Sequence, residues 1–160
     1  AILDRSAYPF ILKGDRYRMI NSVNVVVQTV LSNGSVLFGI DRVRSRRCGD
    51  CRGWLYHDLG SGQFTLTNRS CRDMVFEILY NMNVTSDTAG AVPFVIQSNG
   101  EAIGGTEMDT TIATANIYQS VSANTLVKVP AGGSIAITVK NISALTALVK
   151  DANVIIKKIA

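Results

Sequence analysis

The chain predicts an all-β fold, an antiparallel sandwich or jelly roll, on three observations. Apolar residues alternate with a period of two, the alternating runs are short and divided by Gly, Asn and Pro turns, and no credible amphipathic helix interrupts them. Eight strands are expected, at about 54–57, 63–67, 73–83, 92–98, 112–121, 124–129, 134–141 and 151–158. In the long 73–83 run, Met74, Phe76, Ile78, Tyr80 and Met82 face one way, against Val75, Glu77, Leu79, Asn81 and Asn83. Ile135, Ile137 and Val139 alternate with Ala136, Thr138 and Lys140, and Val154 and Ile156 with Ile155 and Lys157. The turn signals are Gly60-Ser61-Gly62, Ser98-Asn99-Gly100, Gly104-Gly105 and Pro130-Ala131-Gly132-Gly133.

The first third is organised differently. Residues 1–20 mix apolar and basic residues without a period and read as an extended arm that depends on a partner for its order. Residues 21–31 are rich in Val and favour strand, Asn33-Gly34 is a hairpin-turn dipeptide, and Val36 to Ile40 resumes the strand pattern. Residues 41–53 are polar and basic and read as a loop. The expected division is a 1–53 arm and attachment segment followed by a 54–160 jelly-roll domain.

Length and composition fit one domain plus an appended segment: 160 residues, 47% hydrophobic and 18% charged. A mean hydropathy of +0.20 is high for a small soluble monomer and points to surface buried against other subunits. No run is long and apolar enough for a membrane span, and no secretion signal opens the sequence, so no membrane partner is expected. The net charge of +4 lies wholly in residues 1–62, which carry nine Lys/Arg and five Asp/Glu; residues 63–160 are neutral. Arg42, Arg44, Arg46, Arg47 and Arg52 crowd together without interleaved aromatics or a nucleic-acid motif, which makes nucleic acid an unlikely partner. A solvated or subunit-contacting loop accounts for them better.

The strand order carries a family resemblance. Residues 126–137 (LVKVPAGGSIAI) and 152–159 (ANVIIKKI) resemble recurrent segments of the tumour necrosis factor / complement globular-head jelly rolls, in the form found in bacterial, spore-surface and phage proteins. Residues 56–66 (YHDLGSGQFTL) are similar to small virion surface proteins of gut phages and Firmicutes prophages. The resemblance covers 54–160 well and 21–53 weakly. It implies a TNF-like jelly roll that assembles as a homotrimer.

Catalysis finds little in the sequence. There is one histidine, no nucleophile elbow, P-loop or dinucleotide fingerprint, and no carboxylate pair at strand spacing. The cluster with most chemistry is Cys48, Cys51, His57 and Cys71, the residue types of a Cys3His zinc site. A Cys48–Cys51 disulfide, or free thiols with His57 merely hydrogen-bonded on a strand, explains the same residues. Zinc is therefore the only cofactor considered, and none is required. Asn33, Asn68, Asn83 and Asn141 stand in N-x-Ser/Thr sequons, which read as chance without a secretion signal. The expected function is that of a non-enzymatic bacteriophage virion surface protein: a capsid decoration, head fibre or related appendage bound to other virion proteins through its N-terminal segment. The alternatives are a module that binds a host-surface glycan or receptor, and a structural protein of a bacterial cell or spore surface.

Overall fold

A computed structural model describes residues 18–44 and 54–160 of the chain. They form two antiparallel sheets packed face to face, with no helix among the described residues. In chain order the strands are β1 (Met19–Asn24), β2 (Gln28–Val30), β3 (Ile40–Arg44), β4 (Leu55–His57), β5 (Phe64–Thr67), β6 (Met74–Thr85), β7 (Gly90–Ala91), β8 (Phe94–Ser98), β9 (Glu101–Ala102), β10 (Thr111–Ile112), β11 (Gln119–Val129), β12 (Ser134–Asn141) and β13 (Ala147–Lys158). The first sheet runs β11-β6-β13-β1-β3, with β2 also paired to β13; the second runs β4-β5-β12-β8-β9; β7 and β10 form a small separate ladder. Neighbours within a sheet are mostly distant in sequence, so the chain crosses repeatedly between the layers, as in a jelly roll.

Alternation explains the layering. Met74, Phe76, Ile78, Tyr80 and Met82 are all buried on β6, as their spacing predicts, and meet Ile137 and Val139 of β12 and Val154 and Ile156 of β13 in one core. Phe38 meets Phe64 edge to face at 5.6 Å between centroids, and Trp54 stacks on Phe76 at 5.5 Å. Each fully buried side chain of this size contributes roughly 1.5–3 kcal/mol. Gly62 is a point of close approach. A Cβ there would collide with the Val36 carbonyl, so no larger residue lets the 58–63 turn sit against residues 35–38.

Several boundaries differ from expectation, and each difference has a cause. β1 pairs with β13 along its whole length, β2 with β13, and β3 with β1. Residues 19–44 therefore belong to the sandwich, and the division expected at 53/54 cuts through the first sheet. Residues 41–44 were expected as loop because they are polar, but an edge strand needs only one covered flank. The 21–31 run breaks at residues 25–27 into β1 and β2. The strands expected at 112–121 and 124–129 are instead the short β10 and one continuous β11; Asn116, in the left-handed region at φ 64°, turns the chain between them. The final strand starts at Ala147 rather than 151, because a bulge between Lys150 and Asn153, with Asp151 at φ 51°, lets pairing continue past an irregular register. The remainder of the expected arm, residues 1–17, lies outside the described residues, as do residues 45–53.

Candidate functional site

The four residues expected to hold metal are only partly visible. Cys48 and Cys51 lie outside the described residues. His57 is buried on β4, stacked on Phe64 at 4.1 Å between ring centroids. Its Nδ1 lies 3.1 Å from Asp41 Oδ1 and its Nε2 3.1 Å from the Ser61 carbonyl oxygen. Both ring nitrogens are thus engaged, and a metal would have to displace one partner. Cys71 is exposed, and it follows the far end of β5 from the Phe64–His57 pair. Among the described residues no group of three or more His, Cys, Asp or Glu side chains stands ready for a metal ion.

The histidine instead joins the two layers. Asp41 belongs to β3, the edge of the first sheet, and His57 to β4, the edge of the second. Arg44 reaches Asp41 Oδ2 at 3.5 Å and donates to the Leu55 carbonyl at 3.2 Å, so the clasp closes over the start and end of the 45–53 segment. Asp41, His57 and Ser61 share the residue types of a hydrolytic triad but not its geometry. The bond runs to the Ser61 carbonyl, while its hydroxyl faces the Gln63 carbonyl. This corner is built to hold strands together.

The outward face of the first sheet has a chemistry of its own. Register places Asn21, Ile155, Leu79 and Asn124 in one cross-strand row and Asn153, Asn81 and Ser122 in the next. Asn21 donates to Asn153 Oδ1 and to the Val154 carbonyl, and Ser120 donates to Asn83 Oδ1. These rows are polar but uncharged around a half-buried Leu79–Ile155 centre; the Lys157–Glu77 pair lies one row further on.

The sandwich also has two unlike ends. Met19 to Ile40 contains no charged residue, and Val25, Val26, Val27, Leu31 and Leu37 stand exposed along it. Gln28 fixes this surface by donating through Nε2 to the Leu37 carbonyl and accepting from the Leu37 N–H. At the opposite end, Lys158 N–H donates to the Arg18 carbonyl, Thr67 N–H to the Trp54 carbonyl and Asn68 N–H to the Gly133 carbonyl. Those bonds gather Arg18, Arg44, Arg69, Arg72, Lys128 and Lys158 at one end. None of this was legible beforehand, because it depends on which turns the topology brings together.

No protein-family model and no curated protein sequence matches the chain. Solved structures do. The globular domain of zebrafish complement 1qA protein superimposes with a TM-score of 0.54 at 9% identity, covering 89% of this chain and 95% of that one. Murine APRIL, in a crystal structure at pH 8.5, gives 0.59 at 14% identity, covering 90% and 100%. PRD1 vertex protein P5 is a looser match, at 0.48 and 9% identity over 89% of this chain, and that looseness leaves it without bearing on function. The chain therefore shares the jelly-roll fold of these solved structures. At these identities the likeness establishes the fold and nothing finer.

Proposed function

We propose that the chain is a non-enzymatic structural protein, a trimeric surface component of a bacteriophage virion such as a capsid decoration or head fibre. The observation that carries the assembly is the uncharged centre of the first sheet's outward face, bounded by the Lys157–Glu77 pair on one side and Lys150 on the other. Around the three-fold axis of a cyclic trimer equivalent residues come together, and Asn and Ser around Leu79 and Ile155 do so without like-charge repulsion. The exposed apolar side chains of residues 25–37 add surface that a lone soluble domain has little reason to keep. Because β1–β3 belong to the sandwich, attachment to other virion proteins is assigned to residues 1–17 and 45–53 and to the end of the sandwich that they adjoin. Both join the described structure at its basic end. The virion placement is supported by the resemblance of residues 56–66 and is tested by negative-stain imaging of native particles labelled with antibody to this chain. Label on the particle surface supports it; label confined to host cells or spores removes it.

A receptor- or carbohydrate-binding module has less support, since such sites use clustered exposed aromatics. Among the described residues Tyr56 is the one well-exposed aromatic, Trp54 is stacked on Phe76, and Lys150 lies over the Tyr118 ring. The Cys48, Cys51, His57 and Cys71 zinc set stands as a proposal that requires His57 to release Asp41 or Ser61. Metal analysis of protein purified without chelator tests it: about one zinc per chain, lost in Cys51→Ser, supports the site.

A further inference from the structure

We infer that the basic end of the sandwich is a docking surface for an acidic protein segment, with Arg69 and Arg72 as its principal contacts. This rests on the reading of the chain as an attached structural module and names the chemistry of what it attaches to.

The inference starts from how those arginines are held. Asn68 is fully buried, and its Nδ2 donates to the Arg72 carbonyl at 2.6 Å and the Val129 carbonyl at 3.0 Å. Its Oδ1 accepts from the Ser70 N–H at 2.9 Å and the Ser70 hydroxyl at 2.7 Å. The loop between β5 and β6 is thereby fixed at its base, while Arg69 and Arg72 project into solvent. Neither guanidinium makes an ion pair among the described residues. Two charges on a fixed loop with no internal partner are available to an external one without the cost of ordering the loop itself.

The surroundings have the same sign. Arg18, Arg44, Lys128, Lys157 and Lys158 lie at this end, and the carboxylates there are already used. Asp41 pairs with Arg44, Asp73 with Lys128 at 3.5 Å, and Glu77 with Lys157 at 3.7 Å. Asp73 also accepts the Ala131 N–H, which ties it to the Pro130–Gly133 turn. The field that results favours an anionic partner.

The partner class follows from what accompanies the charge. Binding to single-stranded nucleic acid uses aromatic platforms between the cations. Among the described residues none stands exposed at this end, since Trp54 is stacked on Phe76. Guanidinium groups pair bidentately with carboxylates. An Asp/Glu-rich protein segment is the occupant this surface fits.

The test uses the full chain with three probes: immobilised poly-glutamate, duplex DNA and single-stranded DNA. Arg69→Glu/Arg72→Glu is compared with Lys140→Glu/Lys150→Glu, which changes net charge equally but away from this end. Poly-glutamate binding that weakens with salt, falls at least tenfold in the arginine pair and changes less than threefold in the lysine pair is the expected result. Equal losses in both variants, no binding by the wild type, or tighter binding to either DNA would overturn the proposal. Molar mass in solution is read on the same samples. An intact trimer that ignores poly-glutamate would refute the acidic partner alone, and a monomer would refute the assembly reading instead.

Discussion

Two loops at opposite ends of the sandwich share one construction and display opposite chemistry. After β5 the sequence is Asn68-Arg69-Ser70-Cys71-Arg72, and after β12 it is Asn141-Ile142-Ser143-Ala144-Leu145. In each, a fully buried Asn accepts from the N–H and hydroxyl of the Ser two residues on and donates to the carbonyl four residues on. Each Asn also ties a second segment: Asn68 reaches Val129, and Asn141 reaches Val30 and Leu31. The knot is thus a way of closing a strand end, indifferent to what it presents. One presents two unpaired arginines, and the other packs Leu145 against the core. The comparison separates the part of each loop that holds the fold from the part open to a partner.

The sharpest way to break the comparison is to remove the knots. Asn141→Ala takes a donor from the Val30, Leu31 and Leu145 carbonyls and the acceptor from the Ser143 N–H, while the Leu31 carbonyl keeps the Gly34 N–H and the Leu145 carbonyl the Ser143 hydroxyl; an unsatisfied buried polar group costs roughly 1–3 kcal/mol. With water reaching some of them, a loss of about 3–5 kcal/mol is expected, read as a lower urea midpoint at unchanged slope. Asn68→Ala removes one fewer carbonyl contact at a less enclosed loop and should cost about 2–4 kcal/mol. If Asn68→Ala proves the more harmful, the knots are not equivalent scaffolds.

Tyr80 is the counter-case, a buried polar group without a knot. Its hydroxyl has no hydrogen-bond partner among the described residues, and burial raises its pKa far above the usual 10. The folded state therefore keeps the phenol neutral where the unfolded chain ionises it. Stability should be intact below about pH 10 and fall as pH rises beyond it. Tyr80→Phe should stabilise the protein by about 1 kcal/mol at neutral pH and flatten that alkaline decline. Unchanged alkaline melting in the variant would count against this account. The smallest effect belongs to Arg69→Glu/Arg72→Glu, which touches the displayed part of the knot only. Its stability should stay within about 0.5 kcal/mol of wild type.

Much of the fold was legible where one face of a strand is buried. The β6 alternation, the 134–141 strand and the Pro130–Gly133 turn all stand as their residues predict. Legibility fails where neighbours rather than pattern decide. β3 reads as a basic loop, yet it pairs with β1 and sends Asp41 to His57. β11 reads as the end of one strand and the whole of another, because Ser120, Ser122 and Asn124 on its open face interrupt the apolar pattern, yet it runs unbroken beside β6. The sequons at Asn68 and Asn141 read as chance, but an Asn followed two residues later by Ser, directly after a strand, is the signature of a side-chain turn. That signal was present and was assigned to the wrong chemistry. The Cys/His cluster is legible only in part, since Cys48 and Cys51 lie outside the described residues, while the sheet sets His57, opposite Phe64, at the other end of β5 from Cys71.

Assembly is the claim on which the functional account turns, because contact between copies is the role proposed for the uncharged centre of the first sheet's outward face. Light scattering coupled to size exclusion measures it directly at micromolar concentration. The account predicts one species at three times the 17.2 kDa chain mass, reduced to smaller species by Leu79→Lys, whose charge lies at the centre of that face. A stable 17.2 kDa monomer in the unaltered protein would contradict it.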